Sequence, residues 1–359
     1  TKPFIHVEAL DTFAFLKEQI STGYFEKLIQ TYLLDNQHGA LVTIVPEPGR
    51  TARLDEELKA KLQAYKESLS REEIDKLVAD TKHLQEYQEE PSSQEDLEKI
   101  PMLTREDIAR EIAPIYNEEM KIADIPTVFH EIETNGIGYL DLMFDLSDVP
   151  EKNLPMVGLL QAVLGIIDTE HYKYGELFNE INRHTGGIGT SLELYPDVTK
   201  VREKEFRATF EIKAKALYGQ IPFAIRMMKE ILTASKLDDE KRLKEILSMT
   251  KTRLQDRFLS AGHSAAALRA MSYKSPISKF KDTTNGIEYY QNIREMEEHF
   301  DEKKEEIISG LKSLAELLFR KGNVMISYTA AREGLAVLEE EIGSLKEALY
   351  SERTPESRC

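Results

Sequence analysis

The stretch that decides the fold runs from Thr134 to Tyr195. Gly136–Leu146 reads GIGYLDLMFDL, Ser147–Ile166 reads SDVPEKNLPMVGLLQAVLGI, and Leu177–Tyr195 reads LFNEINRHTGGIGTSLELY. The order is strand, turn, helix, glycine pair, strand. Gly186-Gly187-Ile188-Gly189 has the composition of a phosphate loop but the reverse context, because a helix ends there and a strand begins. Gly186 and Gly187 therefore read as a structural helix stop that tolerates positive φ and leads into a closely approached strand.

Working outward, FRATFEIKA over Phe206–Ala214 alternates strictly, with Phe206, Ala208, Phe210, Ile212 and Ala214 on one side and Arg207, Thr209, Glu211 and Lys213 on the other. One face is buried and one is wet, as in an antiparallel sheet covered on one side. Strands are expected at 137–146, 188–195, 204–214 and 323–330. Helices are expected at 154–167, 173–184, 220–235, 239–259, 261–273, 301–320 and 331–350. Asp238 and Asp301 suit N-caps, and Gly322 suits a helix stop. Residues 125–350 thus read as one α+β domain, a two-layer sandwich of a mainly antiparallel sheet with helices on one face.

The flanks differ in character. Residues 1–50 form a lead-in of two short helices and a strand, LVTIVPEPG, at Leu41–Gly49. Residues 51–124 hold a helical hairpin and a linker. Leu54, Leu58, Leu62, Tyr65 and Leu69 make one narrow apolar seam, and Ile74, Leu77, Val78, Leu84 and Tyr87 another, with a capping box at Ser70–Glu73 between them. Another short helix is expected from Thr104 to near Pro114. Residues 351–359 are a polar tail.

Composition narrows the function. The chain has 359 residues, 41% of them hydrophobic, and a net charge of −17. That length allows a sizeable core and more than one domain. The charge disfavours nucleic acid and anionic membranes as partners and suits solubility. The single cysteine, Cys359, excludes an internal disulfide and a cysteine-based zinc site, and fits a reducing, cytoplasmic location. The N-terminus TKPFIHVEAL has no apolar signal core and no basic leader, and the missing initiating Met suggests a chain trimmed or excised from a longer protein.

Zinc hydrolysis needs two close histidines, a carboxylate base and a third ligand. Neither His-x-x-Glu-His nor His-Glu-x-x-His occurs. The nearest echo, Glu170-His171, has Ile167 in place of the first ligand, and His130-Glu131 is followed by Thr134 where a second His is needed. No two of the eight histidines lie three or four residues apart. Cys359 has nothing nearby to lower its pKa. Gly262-His263-Ser264 interrupts a long helical stretch with small residues, so Gly262 reads as structural, at a close helix contact. No catalytic or metal-binding residue is assigned, and the substrate-binding residues are unknown.

These segments together resemble the presequence-protease branch of the pitrilysin/insulinase zinc metallopeptidases. FIHVEALDTFAFLKEQISTGYFEKLIQTYLLDNQHGALVTIVPEPG resembles the segment leading out of the first half of such an enzyme, and the helices at 54–90 resemble its hinge. IPTVFHEIETNGIGYLDLMFDL through the Gly-Gly strand resembles the start of its third domain, and AGHSAAALRAMSYKS a later helix. The resemblance implies a non-catalytic hinge and chamber-wall portion of a zinc metalloendopeptidase, with no cofactor in this segment and zinc in the parent. The implied partners are peptide substrates and the missing catalytic half, with no nucleic acid and no membrane. The helix equivalent to the zinc helix is Pro155–Gly165, with Met156, Leu159 and Leu160 at the ligand positions. The alternatives are a stand-alone scaffold or binding subunit of the same family, and an unrelated helical adaptor that would lack the sheet.

Overall fold

The computed structural model describes residues 3–7, 9–111, 114, 116–200 and 205–351. They form two units, divided after Ala109.

The first unit is helical. It contains α1 (Ala9–Gln19), α2 (Tyr24–Ile29), α3 (Arg50–Ser68), α4 (Arg71–Glu89) and α5 (Gln94–Glu98). Ser70 caps α4 in a reciprocal box with Glu73, so the break between α3 and α4 follows from local chemistry. Neither helix buries a residue, and the seam residues Leu58, Leu62, Tyr65 and Tyr87 all stay exposed. The strand expected at Leu41–Gly49 does not form: among the described residues no segment pairs with it, and it stays outside the sheet. The helix expected from Thr104 shrinks to a single 3-10 turn, Arg105–Asp107, capped by Thr104. Residues 112, 113 and 115 lie outside the described residues, as do the tail from 352 and Cys359.

The second unit is the α+β sandwich. Its strands are β1 (Glu118–Ile122), β2 (Ile125–Glu131), β3 (Ile137–Asp145), β4 (Ile188–Pro196), β5 (Phe206–Leu217) and β6 (Val324–Ala330). They lie in the order β1-β2-β6-β3-β5-β4. All neighbours are antiparallel except β2 and β6, which run parallel. The helices are α6 (Leu154–Val163), α7 (Tyr174–His184), α8 (Ile221–Thr233), α9 (Glu240–Ser272), α10 (Pro276–Asn285), α11 (Ile287–Glu298), α12 (Phe300–Leu318) and α13 (Arg332–Ala348). α9 is bent at Ala261, whose φ of −138° and ψ of 43° leave the helical region. Its N-cap is Asp239 rather than Asp238, and α12 starts one residue before Asp301.

Six strands form where four were expected. β1 and β2 make a hairpin whose two turn residues, Ala123 and Asp124, both take positive φ. That geometry usually calls for Asn-Gly, so the usual signal is missing. The Ala123 carbonyl accepts a hydrogen bond from Lys346 Nζ at 2.7 Å.

The core follows from the alternation. Leu140, Leu142 and Phe144 of β3 and Phe210, Ile212 and Ala214 of β5 turn to the helices and are buried. Phe319, just past α12, packs its ring edgewise against Phe144 at 5.0 Å and Phe210 at 5.4 Å between centroids. It thereby pins the helical layer to the middle of the sheet. Replacing Phe319 with Ala should cost roughly 3–5 kcal/mol, read as a lower urea midpoint with an unchanged slope.

Candidate functional site

The candidate site is a cleft in the helical layer, beside the outer edge of β4. α6, α7, α9, α10 and α11 form most of its other walls, and two joined depressions of about 420 and 480 Å³ occupy it. Both touch Gln161, Arg257, Thr284 and Asn285.

α6 decides what chemistry the cleft can do. Leu159 and Leu160 are fully buried in the core, and Met156 turns the other way, toward Gly310 of α12. The residues that α6 presents to the cleft are Gly158, Gln161 and Ala162. Their spacing of i, i+3 and i+4 is that of His-x-x-Glu-His, so the sequence-based correspondence at Met156, Leu159 and Leu160 faces the wrong way. None of the three cleft residues fits a zinc ion. Gly158 and Ala162 have no donor atom, and Gln161 is spent on β4, donating from Nε2 to the Thr190 carbonyl at 3.3 Å. The Thr190 hydroxyl returns a bond to the Gln161 carbonyl at 3.2 Å. Gly158 also leaves no room, since a Cβ there would sit 2.4 Å from the Thr284 carbonyl oxygen and 2.7 Å from the Tyr289 ring. Among the described residues, no three His, Cys, Asp or Glu side chains are grouped to hold a metal.

The other sequence candidates are dispersed. His171 Nδ1 lies 3.0 Å from Glu230 Oε2, so its ring is engaged by a carboxylate of α8. His130 lies between Asn117 at 2.6 Å and Ser327 at 3.2 Å on the sheet. Gly187 has φ of 123°, and a Cβ at Gly186 would meet the Lys215 side chain at 2.8 Å. A Cβ at Gly262 would meet open space, so close helix packing is not the reason for that glycine. The bend is at its neighbour Ala261.

The open face of the sheet carries a group that the periodicity did not single out. Glu211 has no exposed surface. Its Oε1 accepts from Tyr195 Oη at 2.7 Å and Thr209 Oγ1 at 2.6 Å, and its Oε2 lies 2.9 Å from Lys213 Nζ. Burial pushes the Glu211 carboxyl up, but bonds from Thr209, Lys213 and Tyr195 outweigh it and hold it below the usual range. Asp141 stands beside it on β3, opposite Lys213. Burial, and then the Glu211 carboxylate, push Asp141 up to about 7. Of Arg207, Thr209, Glu211 and Lys213, read from the alternation as the wet face, Arg207 and Lys213 are exposed, whereas Thr209 and Glu211 are buried.

A sheet covered by helices on one side, with the zinc-helix spacing filled by Gly, Gln and Ala, describes a non-catalytic peptidase-type domain. Residues 44–296, more than half of the chain, match the family described as Peptidase M16-C associated, and the chain belongs to that family. It is 35% identical to Protein HypA of Clostridium perfringens over 95% of this chain and 34% of that protein. It is 25% identical to presequence protease 1, chloroplastic/mitochondrial, of Arabidopsis thaliana over 93% of this chain and 31% of that protein. A solved structure of a peptidase M16 inactive domain from Pseudomonas fluorescens is similar at a TM-score of 0.45 and 15% identity, over 65% of this chain and 50% of that one. The chain spans about a third of the length of the curated relatives it matches.

Gly158→Ala should destabilise the domain by about 1–3 kcal/mol despite the better helix propensity of Ala, as a lower melting temperature. For Asp141 the folded state holds a proton that the unfolded chain has already lost above pH 4. Its contribution is therefore present at low pH and lost as pH rises toward 7. Asp141→Asn should flatten the fall in stability between about pH 4 and 7 and gain on the order of 1 kcal/mol on the parent at pH 8, measured by urea unfolding.

Proposed function

We propose that this chain is the hinge and chamber-wall portion of a zinc metalloendopeptidase that degrades peptides, with the catalytic residues carried by other segments of a longer protein. The observation that carries the proposal is the cleft-facing trio on α6. The spacing of a zinc motif is kept while Gly158, Gln161 and Ala162 supply neither ligands nor a base. The relatives named presequence protease, each about three times as long as the matched segment, support a parent of that activity. The exposed seams on α3 and α4 support a hinge, because a helix stripe of this kind is stable in water only when something covers it. In this reading zinc belongs to the parent, and the partners of the segment are the catalytic half and the peptides held between them. The lone Cys359 supports a reducing compartment such as the cytoplasm.

The purified chain should show no zinc-dependent cleavage of unstructured peptides. Co-expression with the remaining segments of its native reading frame should give a complex that co-purifies and cleaves them, with activity lost to a chelator. Cleavage by the chain alone, surviving purification to homogeneity, would defeat the proposal, as would a native reading frame that ends without a zinc motif.

A further inference from the structure

The cleft beside β4 has lost the means of catalysis but kept features of a binding site. β4 is the last strand in the sheet, so its outer edge has no partner strand. Gly187, just before it, directs its carbonyl inward to Lys215 N, whereas the Thr190 carbonyl points outward to Gln161. By the alternation of an antiparallel ladder, Leu192 and Leu194 also face their backbone groups outward. Both line the cleft past the point that Gln161 covers.

The charge of the cleft runs against that of the chain. The protein has a net charge of −17, yet no Asp or Glu lines either depression. The charged residues there are Arg253, Arg257 and Lys281. Arg253 and Arg257 lie one turn apart on α9, and neither has a carboxylate within ion-pair distance among the described residues. Arg257 donates to Asn285 Oδ1 at 3.0 Å and to the Asn285 carbonyl, which fixes its guanidinium at the junction of the two depressions. Tyr289 lines the same space. It is only 3% exposed, and its hydroxyl has no hydrogen-bond partner. A buried donor left unpaired costs free energy that an incoming acceptor would recover.

We infer that this cleft binds an extended acidic peptide segment, which adds to the outer edge of β4 at Leu192–Leu194 and places a carboxylate against Arg253, Arg257 and the Tyr289 hydroxyl. Main-chain hydrogen bonds to a free strand edge supply affinity in such an arrangement, and the cationic wall selects the sequence. The inference goes beyond the hinge reading and does not depend on it, since binding is read on the purified chain without zinc.

The test is calorimetric titration with a peptide of about seven residues alternating Val and Glu, its Val-Lys counterpart, and the Val-Glu peptide N-methylated along one edge. The Glu peptide should bind, and the Lys and N-methylated peptides should bind at least about tenfold more weakly. Arg253→Glu should weaken the Glu peptide by a similar factor with a nearly unchanged melting temperature, because among the described residues the exposed Arg253 side chain makes no hydrogen bond or ion pair. Absence of binding by the Glu peptide, equal binding of the Lys peptide, or full affinity in a folded Arg253→Glu variant would each overturn the inference. Unchanged binding of the N-methylated peptide would overturn addition to the strand edge.

Discussion

A Cβ on Gly158 would overlap the Thr284 carbonyl and the Tyr289 ring, so α6 can lie where it does only with a bare backbone at this point. Much of the second unit depends on that contact. α6 is the helix whose opposite side carries Val157, Leu159, Leu160 and Val163 into the core. Its distance from α10 and α11 sets where those side chains meet the sheet. A glycine inside a helix costs about 1 kcal/mol relative to Ala. Close packing over Tyr289, itself buried, offsets that cost. The same contact removes any possibility of a side-chain ligand at the first position of the cleft. The absence of a side-chain ligand at this position and the tight helix contact are thus one feature, and the groove left beside β4 is what the contact does not fill.

The two faces of the sheet solve different problems. On the helix side, Phe144, Phe210 and Phe319 exclude water by shape. On the open side, Glu211 is buried without helices, beneath Tyr195, Lys213 and Thr209. A carboxylate so placed is tolerable only because several donors converge on it. Asp141, the second acid, has Lys213 at 3.7 Å and a buried oxygen without a partner, and it is the one whose proton affinity rises. Two acids that titrate apart resemble a general acid–base arrangement, but a site also needs room for a reacting group between them. A depression of about 510 Å³ lies against Asp141 and Lys213, but Glu211 does not line it, so the two acids do not face a common space and the pair is better understood as a pH-sensitive tie between β3 and β5.

What could be read from the sequence followed local rules. The strict alternation in Phe206–Ala214 gave β5, and the Ser70–Glu73 box gave the start of α4. The α+β class and the absence of a zinc motif needed only pattern and residue type. The unread parts rest on contacts distant along the chain. β2 begins Ile-Pro and pairs parallel to β6, about two hundred residues away, while β1 reads EEMKI and shows almost no apolar pattern. α10 and α11 are joined by Gly286, packed against Asp282, whose buried carboxylate accepts from Arg269 at 2.5 Å and from Ile287 N at 3.0 Å. Nothing local announces that Asp282 is internal. The facing of α6 was missed for a related reason. Met156, Leu159 and Leu160 share the spacing of a motif, but in a helix whose one polar residue is Gln161 the apolar positions themselves carry no mark of which meet a cleft and which the sheet.

The first unit makes the complementary point. Its helices have good local signals, including the Ser70 cap, and helix formers fill α3 and α4. Yet neither helix has a buried residue, and at 19 residues each they are near the length below which isolated helices are marginal in water. Local propensity explains why they are helical but not why they stay so. The apolar seam is narrow, and the rest of each surface is charged, so collapse of the two helices on each other would bury little. A seam of that width is a narrow apolar stripe, not the broad apolar face that would hold one arrangement permanently. The lack of a core in this unit is therefore consistent with the stable sandwich that follows. The second unit buries its apolar residues in a core, while the apolar residues of α3 and α4 in the first stay exposed or half-buried.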